Sequence, residues 1–390
     1  MLQLVDDTRY RSAELTDAGW PSRWQEWSAT GEPAWRHQAD GQGFETTAAP
    51  GDPAWLRYRH VVPWTEDWED LAEGRIPRRL TDGQLQGQLI TDYYAYNDGG
   101  EGYRYRNASA IGMHWVGDLA IYGEGVEIQG NQGAILLDLV QGGVHYTCRI
   151  DVATGEAVLS IDEGRRPFMG EDGTQVKQPK AATPVRGPGT YDLRLANCDD
   201  QLLLWVDDRL VEFDGPTTYE HDGNVKPKWS PQDAGDLEPV GLGAEGVAVR
   251  VQNLQVLRDV YYVASSHDTE EEGRIPAEDD YEDLVHPGSI ANRANDIAHV
   301  FADPKSWATT TLFDSRREVQ FELGPDDFFP MGDNSPQSQD ARVWKARFPQ
   351  TDPLVKRDLL TGKALLIYWP HAWRRPIPFL PNFRRMGLIR

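Results

Sequence analysis

Between residues 80 and 263 apolar and polar positions alternate in short runs. Tyr191, Leu193 and Leu195 alternate with Asp192 and Arg194, the period of two expected of a half-buried strand. Gln201–Val206 and Arg209–Phe213 flank Asp207-Asp208, so two β-prone runs around a two-residue acidic turn predict a hairpin. Tyr146–Asp151 and Ala157–Asp162 flank Val152-Ala153-Thr154-Gly155, a second hairpin with glycine where positive φ is expected. Asp118–Ile128, Ala134–Val140 and Val247–Leu257 add further strands. This spacing, with no convincing amphipathic helix, predicts a mainly β fold: an antiparallel β-sandwich or jelly roll.

The flanks read differently. Residues 1–75 hold seven of the 14 tryptophans, among Gly, Pro and charged residues. Trp20, Trp24 and Trp27 fit helical spacing, but Pro21 and the neighbouring turn formers favour short irregular or strand segments. This Trp-rich lead-in and the strands of 80–263 together make a sandwich domain over 1–263. Residues 264–300 form an acidic linker, with Glu270, Glu271, Glu272, Asp279 and Asp280 punctuated by Gly273, Pro276 and Pro287. A last block, 301–390, has its own apolar runs at Phe328-Phe329 and Ala364–Trp369.

Composition narrows the function classes. A net charge of −23 over 390 residues argues against nucleic acid, whose binders need cations to displace phosphate counterions. It equally disfavours anionic lipid surfaces. No run approaches the roughly 20 apolar residues of a membrane helix, and Met1–Asp7 lacks the basic and apolar regions of a signal peptide, so the chain alone is expected to be soluble. Two cysteines, Cys148 and Cys198, make neither a cysteine zinc site nor a disulfide framework; one bridge and two buried thiols both remain open. The nine histidines show no metal-binding spacing, so neither a metal nor a cofactor is expected.

The sharpest motif is Gly332-Asp333-Asn334-Ser335-Pro336-Gln337-Ser338-Gln339-Asp340-Ala341-Arg342. Leu323–Asp327 supplies a turn before it and Phe328-Phe329-Pro330-Met331 an apolar lead-in. Thr361-Gly362-Lys363-Ala364-Leu365-Leu366-Ile367-Tyr368-Trp369-Pro370 follows. Together these resemble the last conserved box and final strand of the bacterial type I signal peptidases, which cleave signal peptides from exported preproteins at the extracytoplasmic face of the inner membrane. The resemblance covers residues 323–370. It implies that the sandwich is followed by the C-terminal strands of a β catalytic domain. It also implies that Ser338 supports a neutral lysine base by a hydrogen bond, that Asp340 and Arg342 pair to fix the loop, and that Gly332-Asp333-Asn334 lets the backbone pass close to the site. If Ser338 donates that bond, Ser338→Ala should move the acidic limb of activity to higher pH.

Two boxes of the family are absent. No Ser-Met pair provides the nucleophile, and the single Lys-Arg pair, Lys356-Arg357, is followed by Asp358-Leu359 and lies after the last box rather than before it. The resemblance therefore implies the C-terminal portion of a longer enzyme, inactive alone, whose membrane contact is an N-terminal helix not in this sequence. The middle region, at Leu89–Asn97, Ile150–Gly155 and Leu257–Tyr262, is similar to the laminin-G-like or concanavalin-like insertion of an enlarged subtype. A rival reading is a carbohydrate- or protein-binding sandwich, with Trp55, Trp115 or Trp205 stacking on sugars, Glu124, Glu127, Asp138 and Asp151 as carboxylates, and Asp207-Asp208 as a calcium turn. A tryptophan in an alternating strand is more often core, however, and acidic turns are commonplace.

Overall fold

The computed structural model describes residues 2–27, 33–38, 43–47, 51–83, 85–92, 114–221, 225–262, 297, 299–314, 320–332, 338, 340–342, 344, 352–368, 383 and 386–389. Of the acidic linker, 264–296 and 298 lie outside them, as do Asp333, Asn334, Trp369 and Pro370. Contacts divide the chain into two compact units: the first takes in Met1–Ala264 and Ala277–Glu318, the second Val319–Gly332 and Ser338–Arg390.

In the first unit the lead-in contributes short strands, β1 (Gln3–Asp7), β2 (Trp24–Gln25), β3 (Trp35–His37), β4 (Phe44–Thr46) and β5 (Ala54–Tyr58), then the helices α1 (Thr65–Ala72) and α2 (Arg78–Thr81). Alternating apolar runs follow as β6 (Leu119–Ile128), β7 (Ala134–Gln141), β8 (Val144–Asp151) and β9 (Glu156–Ile161). After the short β10 (Lys180–Ala182) come β11 (Gly189–Cys198), β12 (Gln201–Val206), β13 (Arg209–Leu210), β14 (Val240–Glu245) and β15 (Val249–Arg258). Among the described residues they form an eight-stranded sheet in the order β13-β12-β11-β6-β15-β4-β3, with β1 also on β15, and a seven-stranded sheet in the order β10-β9-β8-β7-β14-β5-β2. All these pairings are antiparallel. The mainly β sandwich expected from the alternation is the observed architecture.

The sheets close over one apolar core because each strand turns every second side chain inward. Ile121, Leu193, Leu204 and Val256 from the first sheet meet Leu137, Ile150, Leu159 and Leu242 from the second, all essentially sealed from water. Turn chemistry sets the register. Gly142 (φ 62°) and Gly143 (φ 71°) join β7 to β8 in the left-handed conformation that matches strand twist. Asp199-Asp200 (φ 50° and 58°) and Asp207-Asp208 (φ 51° and 59°) do the same at β11–β12 and β12–β13. Aspartate tolerates this backbone better than most residues, so the acidic dipeptides are turn formers first.

A second cluster in this unit packs Leu89 and Trp115 against Ile297, Phe301, Trp307 and Phe313. Phe301–Phe313 therefore belongs with the sandwich's contacts. In the second unit, β16 (Asp327–Phe328) pairs with β17 (Val355–Lys356), and β18 (Leu366–Ile367) with β19 (Gly387–Leu388). Cys148 and Cys198 are free thiols; burial pushes Cys148 up to about 12. No helix among the described residues is long and apolar enough to cross a membrane.

Candidate functional site

The Gly332–Arg342 loop is built from its turns upward. Gly324 N donates to Asp327 Oδ2 at 3.0 Å, and Asp327 N to Gly324 O at 3.0 Å, a closed turn that starts β16. Lys356 pairs with Asp327 and Arg357 with Asp326 (2.7 Å), tying β17 to this turn. The chain then returns on itself, with Ala341 N donating to Pro330 O at 3.1 Å.

Asp340 is the centre of the loop. Its Oδ1 accepts from Arg342 N (3.2 Å) and Nε (2.9 Å), and its Oδ2 from an Arg342 terminal nitrogen (2.8 Å) and Gly332 N (3.0 Å). Both side chains are buried, at 6% and 4% exposure, and only a fully bonded ion pair is tolerated so far from water. Burial alone would raise the Asp340 carboxyl. The bonds from Arg342 and Gly332 outweigh it and hold the group below the usual carboxylate range. The Ser338 hydroxyl also helps to hold the Asp340 carboxyl down. A β-carbon at Gly332 would fall 2.1 Å from Ser338 Oγ, so only glycine lets the serine lie there. Of the residues expected to act together, Gly332, Ser338, Asp340 and Arg342 are gathered in one loop, while Asp333 and Asn334 lie outside the described residues.

The carboxylates and tryptophans of the sugar-binding reading are scattered. Glu124 and Glu127 lie on β6 in one sheet, Asp138 on β7 and Asp151 on β8 in the other. Asp138 is sealed under Arg57 (2.8 Å), His145 (2.8 Å) and Thr147 (2.7 Å), and Asp151 accepts from Thr154 in its own turn. Trp115 is buried against Phe313. The Trp55 ring lies over Gly241 and Gly243, with the Arg57 guanidinium 4.6 Å from its centre. Trp205 carries Arg194 at 5.8 Å. Asp207 accepts from Asp192 N and Asp208 pairs with Arg194, which ties the turn to the neighbouring β11.

Two groupings were not foreseen. Asp118, Asp199 and Asp259 bring carboxylate oxygens within 4.8 Å of one another, a donor set that could hold a divalent cation. Burial and then mutual repulsion raise both Asp118 and Asp199, although Asp118 also accepts from Asp199 N and Gln141. His145 bridges Asp138 and Asp233 (3.3 Å). Burial pulls its imidazole down, but those two bonds win and push it up to about 10. Both sets join residues distant in sequence, so no local spacing announces them.

These features define a two-sheet antiparallel sandwich accompanied by a smaller unit that carries a sealed Ser–Asp–Arg loop. No protein-family profile matches the chain. An 80-residue stretch is 35% identical to signal peptidase I of Pseudomonas fluorescens, covering 18% of this chain and 25% of that protein. The chain thus spans about a quarter of the curated relative it matches. Among solved structures it is similar to the carbohydrate-binding module CBM66 of Bacillus subtilis (12% identity, 60% of this chain and 95% of that one, TM-score 0.31). It is also similar to galectin LEC-6 of Caenorhabditis elegans (10%, 36% and 83%, 0.23) and the laminarinase of Rhodothermus marinus (8%, 37% and 66%, 0.25).

Proposed function

We propose that the second unit is the C-terminal part of a signal peptidase I catalytic domain, carried with the β-sandwich on the extracytoplasmic face of the cytoplasmic membrane, and that its substrate is an exported preprotein. The observation that carries this reading is the closed Gly332–Ser338–Asp340–Arg342 arrangement at the motif that resembles the family's last box. The partial match to a signal peptidase supports it.

In this reading a lysine supplied from outside the sequence is the base, kept neutral by desolvation, and takes the proton of a serine nucleophile also supplied from outside. Ser338 positions that lysine. With its proton turned toward the Asp340 carboxylate, an acceptor only, the hydroxyl would offer the lysine its lone pairs. It would accept an N–H from the amine and so hold its free electron pair toward the nucleophile. An acceptor favours the ammonium form over the amine, so removing it lowers the lysine's pKa. This supports the opposite sign from the donor expectation: Ser338→Ala moves the acidic limb to lower pH while the rate falls through misorientation.

The test extends the reading frame upstream and assays the longer product on a preprotein in detergent, with residues 1–390 alone as control. The expected result is cleavage by the longer product only, reduced in Ser338→Ala, with the acidic limb of kcat/KM displaced downward. Wild-type rate and profile in Ser338→Ala overturn the reading.

A further inference from the structure

A cavity of about 420 Å³ opens in the first unit at the edge of the sandwich, between β1, the segment after β5, α1 and the end of β15. Its wall mixes apolar groups such as Val62 and Ile90 with Arg23, His60, Trp68 and Arg258. Among the described residues no Asp or Glu lines it, in a protein of net charge −23. The charged side chains of the lining are therefore cationic, with Asp6 behind Arg23 and Asp92 near Arg258.

The donors are set in place by buried partners. Arg23 is held by Asp6 (2.7 Å) and by Val61 O (3.1 Å), and its charge faces the Tyr58 hydroxyl. Tyr58 is fully buried and its oxygen lies 2.7 Å from His60 Nδ1. A guanidinium offers no acceptor and its charge attracts the phenol oxygen, which favours turning the tyrosine proton toward His60 Nδ1. Burial and then the Arg23 charge keep the His60 imidazole neutral, down at about 3. A neutral imidazole whose Nδ1 accepts carries its proton on Nε2. The chain Asp6–Arg23–Tyr58–His60 thus fixes His60 as an N–H donor at the edge left to the cavity. Arg258 is anchored at Gln3 Oε1 and Asp259 O, both at 2.9 Å. Trp68, 43% exposed, stands at the opening. Asp67 next to it accepts from Trp64 N and Arg79, which fixes the start of its helix.

We propose that this cavity binds a small organic carboxylate with an apolar face, the carboxylate meeting the His60 and arginine donors and the apolar face meeting Trp68. Charge-assisted bonds to a carboxylate are the strong ones, and an indole offers a broad apolar surface at little entropic cost. The ring is either that of a sugar acid or that of an aromatic acid, which present the same chemistry to the site.

Calorimetric titration of the 390-residue chain with glucuronate, phenylacetate and the methyl ester of each tests this. The expected result is binding of at least one acid, at least tenfold tighter than its ester, and weakened at least threefold by Trp68→Ala. Glucuronate alone assigns a sugar acid, phenylacetate alone an aromatic acid. Tyr58→Phe, which removes the proton that fixes the His60 tautomer, should also weaken binding. Trp68→Ala alters an exposed side chain, so a folded variant is available should Tyr58→Phe lose its fold. Binding of neither acid, equal binding of the esters, or an unchanged Trp68→Ala affinity overturns the proposal.

Discussion

Gly332 and Ser338 interlock: the space where a β-carbon of residue 332 would sit is taken by Ser338 Oγ at 2.1 Å and its Cβ at 2.8 Å. Gly332→Ala should therefore destabilise the loop by about 1–3 kcal/mol, the usual cost of overpacking. Ser338→Ala should not relieve it, since the serine Cβ alone is already too close, whereas Ser338→Gly should. A double-mutant cycle read by chemical denaturation gives the coupling. Additive effects of Gly332→Ala and Ser338→Gly would dismiss the interlock.

Asp340→Asn should cost about 3 kcal/mol, because it takes the Asp340 carboxylate away from the buried Arg342 charge. The Asp340 carboxyl sits below its ordinary 3.8, so its contribution is present above that pH and is lost as pH falls through the still lower folded value. Hydrogen exchange of the Pro330–Ala341 bond reports it: the amide of Ala341 should exchange faster in the variant at pH 7 and lose its advantage in strong acid.

The sign is reversed at His145. Its folded value, about 10, lies above the ordinary 6.5, so the stability it confers is complete below pH 6.5 and disappears as pH rises through 10. Taking one charge-assisted bond as the measure, the loss is about 2 kcal/mol. Urea midpoints at pH 6 and pH 10.5 should differ more for the wild type than for His145→Gln. Parallel pH profiles would show that Asp138 and Asp233 do not hold the charge.

Asp199→Asn should stabilise the chain at pH 7 by a few tenths of a kcal/mol, since the turn is exposed and screened. Asparagine keeps the left-handed backbone of φ 50° while removing one charge facing Asp118 and Asp259. Asp118 and Asp199 are raised, so their repulsion costs stability above their folded values and vanishes as they protonate. The gain in melting temperature should shrink in acid and in 0.5 M salt. A gain that survives both would point to backbone effects instead.

Much of this architecture is legible in the chain. The hairpin of Gln201–Val206 around Asp207-Asp208 forms as its alternation predicts, and β6, β7 and β9 fall within two residues of the expected runs. Arg209–Phe213 shortens to Arg209–Leu210: Val211 N still donates in register to Leu204 O, but by Asp214 the backbone donates to Lys180 O instead. The lead-in is harder to read. Its strands are two to five residues long, too short to display a period, and their partners are remote: Trp24 and Gln25 lie on Tyr58 and Arg57, and Phe44–Thr46 on Val249–Val251. At the site, Gly332, Ser338, Asp340 and Arg342 are visible because they share one short motif. The Asp6–Arg23–Tyr58–His60 chain is invisible because it joins β1, the residue before β2 and the end of β5, whose neighbourhood exists only after folding.

The pairing of β1 with β15 places Gln3 opposite Arg258. Antiparallel partners stand about 5 Å apart, so the sandwich is entered and left through one narrow doorway. A host protein could receive the two sheets at a tight turn with no stretching of its own strands, at the entropic cost of a long loop whose ends are already held together. Growth by such grafting would leave a host's strand order untouched, a permissible evolutionary step rather than a disruption.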